Sequence, residues 1–337
     1  MILISNIEPV DLLSPYKKIS DLEADYLLKF QSNYKPKEAL VKAISNKRKG
    51  KSTHKKMTEL AILNYLENEF DKIVLKKPKD LNDIISYFNK RGWQKFIYEN
   101  DKTTAFGKQL LEIFGYSKKF RSQVKRGIWL AKQLNLKSCP YCNAQYTLIA
   151  SADTRKYIAK FQFDHFFSKD KFPYLSISLY NLIPSCANCN ITKSKKLLNL
   201  KDHYHPYFLD FSLYFKFYLK YNPDPKKLTI SQVRTQNFEI ELVPKHSGSK
   251  AFVDEHNKLY HIKGVFNRHQ DIAEDLLMKA VIYTNHLQKA HLKIEGLFPD
   301  RSVYLRYLIG GFSSERDILK RPLTKFTQDI AKQLKLI

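Results

Sequence analysis

Residues 182–196 read LIPSCANCNITKSKK. Two cysteines stand three apart, Cys186 and Cys189. Asn190 follows the second directly, and Lys193, Lys195 and Lys196 lie just beyond. The only other cysteines, Cys139 and Cys142, form a second C-x-x-C pair in the stretch CPYC. Two such pairs and no fifth cysteine predict a four-thiolate zinc site, because the spacing lets both thiolates of a knuckle face one ion. Thiolates buried without a metal would be costly. A structural zinc contributes about 10–16 kcal/mol of apparent binding energy, which becomes folding energy. A pair of disulfides is disfavoured in a reducing cytosol. A redox role calls for one C-x-x-C beside a thioredoxin-like βαβ pattern, not for two. The pairs are separated by 43 residues, more than the roughly 15–20 of a simple zinc ribbon. Something is therefore inserted between the knuckles.

The insert carries KYIAKFQFDHFFSKD, residues 156–170. Tyr157 to Phe163 has the aromatic and β-branched content of a strand ending at Asp164-His165. The turn-rich SKDKFPYLS follows, and LYNLIPSC then reads as a short strand or extended segment running into the second knuckle. ANCNITKSKKLL, residues 187–198, has no Pro or Gly and suits a helix. The predicted order is strand, loop, strand, helix, with a knuckle at each end.

In this order the sequence resembles the HNH nuclease family, whose catalytic element is a ββα hairpin gripping one divalent metal. The resemblance rests on FDH, YNLIPSC and ANCNITK and covers about residues 138–198. It implies His165 as general base, since imidazole accepts a proton near neutral pH. It implies Asp164 and Asn190 as oxygen ligands of a catalytic ion, with Asn181 tying the hairpin loop and orienting His165. Lys193, Lys195 and Lys196 would bear on nucleic-acid phosphates. Asn190 stands where some family members carry histidine. That variant favours Mg²⁺ or Mn²⁺ over softer ions. Cys139, Cys142, Cys186 and Cys189 would hold the structural Zn²⁺.

Composition agrees with a polyanion as partner. Lys plus Arg number 58 against 33 Asp plus Glu, a net charge of +25. Such a surplus attracts nucleic acid and says nothing about fold. No stretch approaches the ~18 apolar residues of a membrane span, and no lipid-anchor motif stands out. The opening MILISNIEPVDLL lacks a basic lead and carries Glu8 and Asp11, so it does not read as a signal peptide. The expectation is a cytoplasmic protein without membrane association.

The flanks read as follows. Residues 1–137 are a helical region: DLEADYLLKF and MTELAILNYLENEFDKI carry apolar residues at three- and four-residue spacing, DLNDIISYFNKR opens with Asp80 as candidate N-cap, and QVKRGIWLAKQL leads to the first knuckle. Between two of these helices, SNKRKGKSTHKKM forms a basic loop, either phosphate-contacting or solvated. Residues 138–206 are the nuclease element. His203 and His205 lie at its end, in a polar turn stopped by Pro206 or, for His205, within reach of the metal or a phosphate. Residues 207–262 are a small antiparallel sheet. In it Leu213, Phe215, Phe217 and Leu219 share one face, Tyr214, Lys216, Tyr218 and Lys220 the other, and NFEIELV alternates likewise, with turns at NPDPKK and KHSGSK. Residues 263–337 are helical again, with Ser314 opening a helix and Pro322 marking a break or a new first turn. The fold class is α+β, mostly helical, with the ββα-metal element embedded and stapled by four cysteines.

The functional expectation is an HNH endonuclease that hydrolyses phosphodiester bonds in DNA, with RNA sharing the same chemistry. Family analogy places such elements in bacterial anti-phage defence and restriction systems, beside an ATPase or sensor subunit. The chain has no P-loop, so nucleotide-driven control would come from that partner. The rival of another class is a non-catalytic, zinc-stabilised nucleic-acid-binding module, in which Asp164, His165 and Asn190 are incidental.

Overall fold

The computed structural model describes residues 19–31, 35–121, 125–153, 156–194, 196–221, 229–233, 238–283, 287, 290 and 296–337. The reading of the N-terminal stretch, Lys195 and the NPDPKK turn lies outside them.

The helical N-terminal region comprises α1 (Ile19–Gln31), α2 (Pro36–Arg48), α3 (His54–Asn68), α4 (Phe70–Leu75), α5 (Pro78–Lys90), α6 (Gln94–Ile97), α7 (Ala105–Phe114) and α8 (Lys125–Leu134). The strip β1 (Tyr98–Glu99) pairs with β2 (Lys102–Thr103) between α6 and α7. The buried residues of α5, Leu81, Ile84, Ile85 and Phe88, fall at the three- and four-residue spacing of one helix face. Its N-cap is Lys77, with Pro78 in the first turn. Asp80 is therefore not the cap but a first-turn acid complementing the helix dipole. The continuous periodicity of residues 57–73 is split at Glu69, which caps α3 and opens α4.

The basic loop between α2 and α3 is shorter than the sequence suggests. Lys47 closes an ion pair with the buried Glu59. Lys56 donates to the carbonyls of Lys49, Gly50 and Lys51. Two of its six basic side chains thus fasten the loop itself.

Gly115 ends α7 in the left-handed region, at φ 60, where a Cβ would be disfavoured. The chain then makes a π-helical turn, Tyr116–Arg121. Beyond α8 comes the first cysteine pair, then β3 (Ile149–Asp153) pairs antiparallel with β4 (Lys156–Ala159). The single strand expected from Tyr157 to His165 is two strands. The chain bends at Lys160 and Phe161 and changes partner, so that β5 (Gln162–His165) pairs instead with β6 (Leu182–Ser185). The register sets Asp164 opposite Ile183 and His165 opposite Leu182. Then α9 (Ala187–Lys193) completes a β5–β6–α9 unit.

The loop from Phe166 to Asn181 is largely buried, which is unusual for a connection. The N-terminal helices supply the reason. Tyr26 donates to the carbonyl of Ile177, Ser178 to that of Ile73, and Gln94 to that of Lys171. Tyr174 stacks on Phe88 at 4.2 Å. The N-terminal region is the floor under the ββα unit.

The C-terminal part contains β7 (Phe215–Lys220) paired with β8 (Glu239–Pro244), the short α10 (Ile230–Val233), α11 (Lys250–Tyr260), α12 (Ile262–Phe266), α13 (Gln270–Ile282), α14 (Arg301–Ile309) and α15 (Thr324–Gln333). The burial of β7 alternates strictly, with Phe215, Phe217 and Leu219 inside. Leu213 does not join that face: it sits in a 3-10 turn and is 55% exposed. Asp329 and Gln333 of α15 accept from the N–H groups of Phe217 and Leu219, covering an edge that would otherwise lack partners. α11 begins inside the segment read as sheet. At Pro322 the break reading holds, since the helix starts two residues later, after Leu323 at φ 64. Among the described residues no helix is long and apolar enough to cross a membrane.

Candidate functional site

The two C-x-x-C pairs meet. All four cysteines are buried and free of disulfides, and their sulfurs lie within 4.8 Å of one another. Cys142 Sγ and Cys186 Sγ are 3.9 Å apart. A tetrahedral zinc–thiolate site with bonds of about 2.3 Å has an S–S edge of roughly 3.8 Å, so the donor set suits one such ion. Each knuckle also aims backbone N–H groups at sulfur: Ala144 N–H donates to Cys142, and Cys189 N–H to Cys186. Cys186 is thereby the N-cap of α9.

Asn143, just after the first knuckle, adopts φ 53, a conformation that asparagine tolerates better than most residues. Its amide donates to Ser138 Oγ and to the Ile318 carbonyl, and its oxygen accepts from Lys325 N–H. On the other side, His256 of α11 bonds the Tyr141 carbonyl, and Tyr260 stacks on the Tyr141 ring. The knuckle is locked to α11 on one side and to Ile318 and the start of α15 on the other.

From there the geometry runs to β5. Strand alternation puts Gln162 and Asp164 on one face. Helical spacing puts Asn190 and Lys193 on one face of α9. The two faces meet in two rungs. Asn190 Nδ2 donates to Gln162 Oε1. Lys193 Nζ donates to Asp164 Oδ1 at 2.8 Å and also to the His165 carbonyl. The second Asp164 oxygen accepts from the Tyr141 hydroxyl at 2.7 Å. Burial, and next the Asp164 charge, push the Tyr141 pKa well above its ordinary value, so the hydroxyl stays a donor.

His165 packs edge-on against Tyr116, with ring centres 4.3 Å apart. Its Nε2 lies 2.9 Å from the Ser176 carbonyl, which can only accept. Nε2 therefore carries the proton and Nδ1 is left as the basic nitrogen. Burial drives its pKa down to about 3, against the raising effect of the Ser176 bond and with help from Lys169 and Lys193. The ring is neutral at pH 7, and it is a far weaker base than the free imidazole on which the sequence expectation rests.

Asn181 is fully buried. Its oxygen accepts from Phe167 N–H, and its amide donates to the carbonyls of Phe167 and Leu175. It fixes the loop that presents Ser176 to His165.

Asp164, His165, Asn190 and Lys193 line one cavity of about 530 Å³, together with Arg121 of the π-helical turn and Lys169. Lys193, expected with Lys195 and Lys196 to bear on phosphates, has its ammonium turned inward, with 3% of the side chain exposed. Lys196 is exposed. His205 is a core residue, its ring 4.3 Å from Phe166 and its Nδ1 accepting from Tyr207 N–H. His203 Nδ1 accepts from Asn199 N–H within a surface turn.

Tyr141, Gln162, Tyr116, Arg121 and Lys169 were not singled out from sequence. Gln162 had a signal, two residues before Asp164 on the same strand face. Arg121 had none, because the contact of its turn with β5 is long-range.

Comparison with family models, curated proteins and solved structures returns no match to this chain.

Proposed function

We propose that the chain is a metal-dependent endonuclease of HNH type acting on DNA. One observation carries the reading: β5, β6 and α9 bring Asp164, His165 and Asn190 to the wall of a single cavity, beside a four-cysteine cluster that pins both ends of the unit. The cluster takes zinc as a structural ion.

The oxygen donors at the cavity also suit a divalent ion. Asp164 offers a carboxylate, and Asn190, whose amide nitrogen donates to Gln162, keeps its oxygen as an acceptor. Such hard donors match Mg²⁺ or Mn²⁺. Held there, the ion would supply Lewis acidity at the scissile phosphate and charge stabilisation at the leaving oxygen. The chain's own residues do the rest. His165 Nδ1 accepts the proton of the attacking water, while the Ser176 carbonyl holds the ring in that tautomer. Asn181 keeps Ser176 in place. Arg121 and Lys169 at the cavity wall, and Lys196 beyond α9, attract the phosphodiester backbone.

Plasmid nicking with Mg²⁺ or Mn²⁺, with and without chelator, tests the reading alongside His165→Ala. Nicking that stops with chelator and with His165→Ala, while DNA binding persists, supports it. Undiminished cutting by His165→Ala overturns the base assignment.

A second reading has an observation of its own. Both Asp164 oxygens already have protein partners, Lys193 and Tyr141, as they would in a zinc-stabilised nucleic-acid-binding module with no catalysis. DNA binding without cutting, under every divalent ion and candidate partner, favours it. On the first reading, the resemblance to HNH nucleases would make the endonuclease the effector of an anti-phage defence or restriction system. An ATPase or sensor subunit would control it.

A further inference from the structure

Lys193 is the last residue of α9, one turn beyond Asn190. Its ammonium sits 2.8 Å from Asp164 Oδ1, and the two side chains are 3% and 5% exposed. No other cation is paired with Asp164 among the described residues, so Lys193 supplies the counter-charge that lets this carboxylate be buried. The arrangement is self-consistent without a metal.

It conflicts with a metal bound in the same place. A divalent ion on Asp164 would stand within a few ångströms of the ammonium, and like charges in a buried setting repel strongly. The ion can bind tightly only when the ammonium moves away. Lys193 has somewhere to go: it lines the same cavity as Arg121 and Lys169, where a phosphate would enter. Its four-carbon stem is flexible. The helix ends at Lys193, and Ser194 turns away at φ 34.

We propose that Lys193 is a resident counter-ion of Asp164 that makes divalent-metal binding conditional on a phosphate polymer. With the cavity free of phosphate, the ammonium holds the carboxylate and excludes the ion. A backbone phosphate draws the ammonium off, and the ion then binds Asp164. Metal and nucleic acid each tighten the other, by the same factor in both directions. This rests on the reading of Asp164 as a metal ligand. It goes beyond that reading by assigning Lys193 a gate on metal binding instead of a passive phosphate contact.

The test measures Mn²⁺ affinity by electron paramagnetic resonance on the full, zinc-loaded chain. It is run with and without a short phosphorothioate oligodeoxynucleotide, for wild type, Lys193→Met, Lys193→Gln and Asp164→Asn. The expected result is that the oligonucleotide tightens Mn²⁺ binding to wild type by about tenfold or more. Lys193→Met and Lys193→Gln bind Mn²⁺ tightly without it and gain little from adding it. Wild-type affinity that ignores the oligonucleotide overturns the proposal, and this arm needs no variant to fold. Lysine variants that keep their zinc and circular dichroism but bind Mn²⁺ no better than wild type also overturn it. Asp164→Asn separates the two ideas. If it abolishes Mn²⁺ binding while the lysine variants behave as wild type, the metal reading stands and the gate falls. If it binds Mn²⁺ as wild type does, the metal reading falls and takes the gate with it.

Discussion

The Tyr141 hydroxyl, carried between the two cysteines of the first knuckle, donates to Asp164 Oδ2 at the end of β5 over 2.7 Å. The four-cysteine cluster and the candidate catalytic carboxylate are therefore linked through one side chain and one hydrogen bond. Replacing Tyr141 by Phe removes that donor and keeps the ring stacked on Tyr260. A hydrogen bond to a charged group contributes about 1.5–3 kcal/mol, so Tyr141→Phe should lose that much stability while retaining its zinc. Nicking should fall further than stability alone explains, because Asp164 is left with Lys193 as its one remaining partner of the two. Urea denaturation, zinc content and nicking on one preparation check this. A variant indistinguishable from wild type in all three would show that Tyr141 does not position Asp164.

Asn181→Ala should be among the most damaging single changes outside the cysteines. It strands Phe167 N–H and the Phe167 carbonyl inside the protein, and leaves the Leu175 carbonyl with only the Ser178 N–H. Unsatisfied buried groups cost about 1–3 kcal/mol each, and with partial relaxation the total should be about 2–4 kcal/mol. The Ser176 carbonyl would lose its anchor, and with it the His165 tautomer. Cutting should therefore drop even well below the melting temperature. Nicking at low temperature beside a thermal melt separates the two effects.

The parts of this site that were legible in the sequence are those encoded at short range. The cysteine spacing announced the cluster, and Phe215 to Lys220 spelled out a half-buried strand. The order of Asp164, His165, Asn181 and Asn190 follows the strand–loop–strand–helix path. What the sequence hid depends on tertiary packing. Residues 157–165 look like one strand because each half is rich in aromatic and β-branched residues. Only the change of pairing partner at Lys160 and Phe161 divides them. Lys193 looks like one more solvated lysine because the Asp164 that buries it lies 29 residues away. The turn-rich loop around Ser176 gives no sign in the sequence that the N-terminal helices cover it.

Removing a metal held by the four-cysteine cluster should unfold the ββα unit. A chelator strong enough to strip zinc, or Cys186→Ser, should abolish near-UV circular dichroism and cutting together. Structural zinc typically contributes about 10–16 kcal/mol, far more than a domain can spare. Elemental analysis should give one zinc per chain. A weak chelator that removes only the proposed catalytic ion should stop cutting and leave the fold intact. Loss of activity always tracking loss of structure would argue against two separate metal roles.

Acid should destabilise the protein, and His205 should account for a measurable part. Burial lowers its pKa to about 3, below the roughly 6.5 of an exposed imidazole. The unfolded chain therefore takes up a proton first. The stabilisation is complete above about pH 6.5 and is lost as pH falls from there towards 3, at about 1.4 kcal/mol per pH unit for one histidine. His165 and His256 are buried with pKa values also near 3 and act in the same direction. His205→Phe keeps a ring against Phe166 and removes one titrating group. Between pH 6.5 and 5 its stability should decline less steeply than that of wild type, by one proton's worth. Denaturant titrations across that range give the slope, and parallel curves for the two proteins would rule out His205 as a contributor.

DNA binding should weaken steeply with salt, and the cavity cations should account for part of the slope. Each neutralised phosphate contributes about −0.9 to the slope of log affinity against log salt. Arg121 and Lys169 line the cavity, and Lys196 stands exposed beyond α9, so Ala at Arg121 or Lys196 should flatten the slope by close to one unit and Ala at Lys169 by less. Lys169 also pairs with Asp170, which must be given up to bind phosphate, so its effect should be the smallest of the three. Lys216 and Lys220, on the exposed face of β7, test the reach of the interface: a change in slope on their removal would extend the DNA path across the C-terminal sheet. Fluorescence anisotropy at several salt concentrations measures each value. A nearly flat wild-type slope would detach the +25 surplus from nucleic acid and, with it, the case for DNA as the substrate.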